Sequence, residues 1–209
     1  GNWLMMAEDT SMILIRQTFA DRTIERAAHV VPECLDAIGE PAPALRPEVG
    51  PHALLTAAMT TIGASAWFAD WVAPWRAAPN TLHFPDPEYH RLVGGDPNIV
   101  FQLGYWSLAP DEMLVVRATP PRCQYWNFQL GNIWAECLDK RRCISRNIAS
   151  TTYAADGSFE LVIAHEDPGH PNWIDTAGHT HGIMGLRWVL AETLPPATCE
   201  VVPITGRTG

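Results

Sequence analysis

The chain has 209 residues, 47% of them hydrophobic and 18% charged, and a formal net charge of −9 with only 14 Lys and Arg. That apolar content excludes general disorder, and the acidic balance argues against partners such as nucleic acid or a membrane carrying anionic lipid. No apolar run approaches the ~18 residues of a membrane-spanning helix. Tryptophan is over-used, with 9 Trp against 4 Tyr and 6 Phe. The five cysteines (Cys34, Cys123, Cys137, Cys143 and Cys199) cannot all pair within one chain, and none has C-x-x-C spacing. They read as reduced thiols of a cytoplasmic protein without a zinc site.

The chain opens on Asn2-Trp3-Leu4, which returns as Asn172-Trp173-Ile174. Arg16, Ala20, Val30, Val31 and Pro32 return at one constant offset as Arg187, Ala191, Val201, Val202 and Pro203. The second copy closes a long β-rich stretch, whereas nothing precedes the first. Residues 1–38 are therefore expected to be the closing strands of a truncated upstream repeat. Their strands are expected over 12–19 and 28–34, where short apolar runs become alternating. Strands without sheet partners seek another chain, so residues 2–36 are expected to pair elsewhere in the protein or to form a homo-oligomer.

Pro41, Pro43 and Pro47 between Gly39 and Gly50 predict a linker over 39–50. A helical segment over 51–98 follows. Leu55, Met59, Ile62 and Ala66, then Trp67, Trp71 and Trp75, recur at helical spacing and predict one strong helix over 52–78. The tryptophan stripe reads as a packing face, and Pro74 should bend or end the helix. One or two helical turns are expected over 88–93, and Gly94-Gly95-Asp96-Pro97-Asn98 is a turn cluster. Residues 99–209 then carry short strands at close spacing, expected over 99–108, 113–119, 124–130, 151–153, 158–165, 183–190 and 199–204. Without interleaved helices these predict a mainly β (α+β) fold: an antiparallel, jelly-roll-like β-sandwich with one long helix.

Three motifs carry a resemblance. Gly94 to Asn98 with Gly104-Tyr105-Trp106, then Tyr125-Trp126-Asn127-Phe128-Gln129-Leu130, then Pro171 to His179 with Leu186-Arg187-Trp188, resemble a bacterial domain of unknown function numbered 1214. The resemblance covers about residues 50–205. It implies a jelly-roll-like sandwich with a helical portion, in longer relatives with two related halves, and no agreed reaction. His181 is not part of the pattern.

The candidate chemistry is sparse. Alternation over 124–130 puts Trp126, Phe128 and Leu130 on a core face and Tyr125, Asn127 and Gln129 on the other, continued by Asn132, Trp134 and Glu136. Arg187, between Leu186 and Trp188, needs a partner if it faces inward: Asp175, Glu136 or a ligand carboxylate. These residues suggest a cleft of Tyr125, Asn127, Trp134, Trp173, His179 and Arg187 that binds a small molecule. The alternative is a hydrolytic or metal-assisted enzyme with His179 as base or ligand and Asp175 or Glu136 as its orienting acid. His179 and His181 would share a face if extended, a weak metal pattern with no cupin-type Glu following. A third reading is a structural half-domain packing against its missing sister. No cofactor is implied.

Overall fold

The computed structural model describes residues 2–10, 12–41, 44, 46–47, 49–92 and 95–204, without the side chain of Tyr89. Pro43 of the expected linker, Val93 of the expected short helix and Gly94 of the turn cluster lie outside the described residues. The chain falls into two units, Gly1–Ala42 and Pro43–Gly209.

In the first unit the strands expected over 12–19 and 28–34 do not form among the described residues. A strand is made by the neighbour that takes its backbone groups, and this unit supplies none. Side chains do part of that work. Gln17 accepts from the Ala28 N–H at 2.7 Å and donates to its carbonyl at 3.0 Å. Asp21 accepts from both the N–H and hydroxyl of Thr23. Met12, Leu14, Val31 and Leu35 are left more than half exposed.

The second unit begins with helix α1, Val49–Arg76, starting a little earlier than expected and carrying Pro74 in its last turn. Strand β1 (Thr81–His83) and short helix α2 (Pro87–Leu92) precede β2 (Ile99–Ser107), β3 (Glu112–Ala118), β4 (Tyr125–Gly131) and β5 (Ser145–Asn147). Then come β6 (Phe159–Ala164), β7 (Trp173–Asp175), β8 (His181–Val189) and β9 (Thr198–Pro203). They form a five-stranded sheet of order β1-β2-β8-β4-β5 and a four-stranded sheet of order β7-β6-β3-β9. The fold is mainly β with one long helix. The strand expected over 151–153 is absent, and the paired strand lies earlier, at β5. Pairing is antiparallel except between β6 and β7, which run parallel.

The core lies between the sheets. In β8, Gly182, Met184, Leu186 and Trp188 are buried while the intervening residues are less so, a period of two. Trp126 stacks on Phe159 at 4.3 Å across the sandwich, and Trp106, Trp126 and Trp188 are fully buried. Trp126 donates to the Tyr153 hydroxyl, which donates to the Ile148 carbonyl. Two glycines set strand spacing: a Cβ on Gly104 would run into the Thr81 carbonyl, and one on Gly182 into that of Gly131.

Asn172 locks the β6–β7 crossing. Its amide donates to the Thr152 and Glu160 carbonyls at 2.7 and 2.9 Å and accepts from the Thr152 N–H at 2.7 Å. The edges β5 and β7 are joined by the Asp175 N–H donating to the Cys143 carbonyl and by Arg146 donating to the Trp173 carbonyl. Such a seam protects two strand edges at once.

Candidate functional site

The outward face of the five-stranded sheet is where sequence alternation and strand register bring polar and aromatic side chains together. Phe101 on β2 pairs with Arg187 on β8, which pairs with Asn127 on β4, which pairs with Asn147 on β5. These four make one row across the sheet. Beside it runs Leu103, Gly185, Gln129 and Ser145, and beyond its other side Ile99, Val189 and Tyr125.

Arg187 thus faces away from the sandwich core, and its guanidinium lies over the Phe101 ring at 4.8 Å. Stacking of this kind holds the planar cation while leaving its edge able to form in-plane hydrogen bonds. Asn127 is 9% exposed, and its Oδ1 is buried without a hydrogen-bond partner among the described residues. A buried amide oxygen in that state carries its full desolvation penalty until a donor arrives. The Asn147 amide donates to the Tyr125 hydroxyl at 3.4 Å, and His90 of α2 packs against the far side of the row, 5.7 Å from Phe101. Gly185 leaves the centre of the neighbouring row without a side chain. The face therefore presents a cation stacked on Phe101, an acceptor without a donor among the described residues, and an apolar and aromatic floor.

This architecture has a solved counterpart. An uncharacterised protein from Burkholderia cenocepacia matches with a TM-score of 0.85 and 41% identity, over 90% of this chain and 52% of its own. The chain spans about half the length of that protein. A protein from Vibrio parahaemolyticus matches with a TM-score of 0.42 and 16% identity, over 54% of this chain and 33% of its own. No family model and no curated protein matches the chain.

Of the six residues expected to line one cleft, the structure groups Tyr125, Asn127 and Arg187. Trp134 stands 49% exposed in the turn after β4, held by its N–H donating to Asn132. Trp173 lies on the other sheet, where its indole N–H donates to the Ala164 carbonyl. His179 is exposed in the turn before β8. From there to Arg187 the strand runs roughly 20 Å.

The acids proposed for His179 are occupied elsewhere. Asp175 is 4% exposed, pairs with Arg142 at 2.7 Å, and accepts from the Ala177 N–H. It is therefore not the counter-ion of Arg187. Glu136 accepts from the Asn132 amide in its own turn. His179 and His181 do not share a strand face, because His179 lies in a turn, its N–H donating to the Thr176 carbonyl, and β8 begins only at His181. His181 begins β8 and stacks on Tyr105 at 6.0 Å. Among the described residues no group of three or more His, Cys, Asp and Glu side chains is placed to hold a metal ion.

Sequence reasoning did not single out Phe101, Asn147 or Gly185. Phe101 sits in a strand that was legible, yet its position opposite Arg187 depends on the register of two strands about 80 residues apart. The one local signal was Gly185, a glycine in the middle of an otherwise apolar strand.

Proposed function

We propose that this unit is a small-molecule-binding module whose site is the outward face of the five-stranded sheet. The observation that carries the reading is the Asn127 Oδ1, buried and without a donor among the described residues, next to the Arg187 guanidinium fixed over Phe101. The ligand class follows from those groups: a carboxylate or similar anion for Arg187, a neighbouring hydroxyl or N–H for Asn127, and an apolar or aromatic body against Phe101, Leu103 and Tyr125. The site works by binding and orientation, with no established catalysis. We further propose that the sandwich is jelly-roll-like and belongs to the domain-of-unknown-function 1214 group, as one half of a two-part protein. Early strands β2 and β3 pairing with late strands β8 and β9 in opposite sheets support the first point, and the length of the Burkholderia protein fits the second.

Titration calorimetry with hydroxylated aromatic carboxylates, 4-hydroxybenzoate among them, tests the site. Binding is expected, and Arg187→Met should weaken it by roughly 30-fold, the loss of one charge-assisted contact of about 2 kcal/mol. Asn127→Leu should weaken the hydroxylated ligand more than its unsubstituted parent. Heats that are absent across the series, or unchanged in Arg187→Met, would remove this reading.

A further inference from the structure

The glycines within the paired strands, Gly104, Gly131, Gly182 and Gly185, are of two kinds. A Cβ on Gly104 or Gly182 would run into a carbonyl of the neighbouring strand, and one on Gly131 would lie 2.8 Å from the Glu136 carbonyl. Close backbone approach requires glycine at those three positions. Gly185 has no such reason. Among the described residues a Cβ there would meet the end of the Leu103 side chain at 3.3 Å and nothing else within 4 Å. Its backbone does not take a positive φ either. Glycine inside a strand gives up both a side chain and backbone entropy, and β8 is the middle strand of five. A glycine that packing does not demand, at the centre of a sheet face, fits the close approach of a ligand.

The chemistry beside this gap specifies the occupant. Gln129 pairs with Gly185 in register, is half-buried, and its amide makes no hydrogen bond among the described residues. Asn127, with its buried Oδ1 lacking a donor, stands on the same face about 7 Å along β4. One oxygen set between the two amides can donate to the Asn127 Oδ1 and accept from the Gln129 N–H, through two hydrogen bonds of about 2.8 Å. A hydroxyl does both, whereas an ether or carbonyl has no proton for Asn127. The Arg187 guanidinium lies on the opposite side, over Phe101 of β2. From β2 to β4 is two strand spacings, about 10 Å, within reach of one six-membered ring carrying polar groups at opposite ends.

We propose, taking the outward sheet face as the binding site, that the gap over Gly185 seats the ligand's ring. Arg187 then holds its carboxylate, and Asn127 and Gln129 together select a hydroxyl at the far end, so the ligand class narrows to para-hydroxylated ring carboxylates. Calorimetry with 4-hydroxybenzoate, 4-methoxybenzoate and benzoate reads this out. Gly185→Val should weaken 4-hydroxybenzoate and benzoate alike, by roughly tenfold or more, because its side chain takes the ring's space. Gln129→Leu should weaken 4-hydroxybenzoate roughly fivefold, one neutral hydrogen bond, and leave benzoate within about twofold. 4-Methoxybenzoate should bind the unsubstituted protein no better than benzoate. Gly185→Ala should raise Tm by about 2 °C, since no packing contact demands glycine there. A Gly185→Ala protein that melts several degrees lower overturns the proposal without any ligand. So do Gly185→Val and Gln129→Leu proteins that bind 4-hydroxybenzoate as the unsubstituted protein does. If Arg187→Met alone weakens binding, the sheet-face site stands and the ring lies off Gly185. Absence of heat with all three carboxylates removes the site itself, and this assignment with it.

Discussion

Residues that recur in the sequence, one copy near the start of the chain and one near its end, lie in different environments. Arg187 sits within β8 between Leu186 and Trp188, both fully buried, and Val201 to Pro203 lie in β9 against β3. Their counterparts, Arg16 and Val30 to Pro32, belong to a unit with no sheet among its described residues, and Ile15, which matches Leu186, is 50% exposed. Asn172 closes three hydrogen bonds to backbone and is 2% exposed, while Asn2 is exposed. Like residues at like spacing thus give a packed strand in one place and an unpaired segment in the other. What decides is the partner, because β-propensity measures fit to a pleated, half-buried surface more than an intrinsic backbone preference.

Substitution in both copies is the direct way to break this comparison. Leu186→Ala should cost about 3 kcal/mol in urea unfolding, since it opens a cavity between two sheets. Ile15→Ala should stay within about 0.5 kcal/mol. Equal losses at the two positions would mean that the first copy is packed as the second is. Next in size, Asn172→Ala should cost about 2 kcal/mol by leaving the Thr152 and Glu160 backbone groups unpaired, and Asn2→Ala should be silent. A null result at Asn172 would show that water replaces its amide, and the lock at the β6–β7 crossing would lose its meaning.

How much was legible follows from the same contrast. The long strands β2, β3, β4, β6 and β8 each hold enough residues for period two or an apolar run to stand out, and turn residues bound them. Strands β1, β5 and β7 have three residues each, too few for any period, and exist through their neighbours. The stripe Leu55, Met59, Ile62 and Ala66 correctly signals helix, yet it lies opposite the side that packs. Periodicity reports a face, and it cannot say what covers it. Of the tryptophans outside the helix stripe, Trp106 ends in the core and Trp134 on the surface. On the outward sheet face, Tyr125 and Asn127 are legible together because alternation within one strand is local information. Phe101 and Asn147 were not, because register between strands is information about the fold. Trp173 and His179, expected beside Tyr125 and Asn127, lie elsewhere: the Trp173 carbonyl belongs to the seam between β5 and β7, and His179 to the turn before β8.

The smallest expected effect compares two thiols. Cys34 is exposed in the first unit, whereas Cys199 is half-buried on β9, and burial pushes its thiol up to about 11 from an ordinary value near 9. The thiolate is the reacting species, so at pH 8 Cys199 should hold on the order of a hundredth of the thiolate of an ordinary cysteine. Iodoacetamide followed by peptide mass mapping should label Cys34 first and Cys199 last. The linkage has a definite sign. Between about pH 9 and 11 the unfolded chain releases the Cys199 proton while the folded chain keeps it, so the folded state binds more protons and stability falls as pH rises through that window. Cys199→Ala should flatten that alkaline slope. A slope that persists in Cys199→Ala would mean that groups other than this thiol, such as Tyr105 and Tyr153, which burial also pushes up, dominate the alkaline limb.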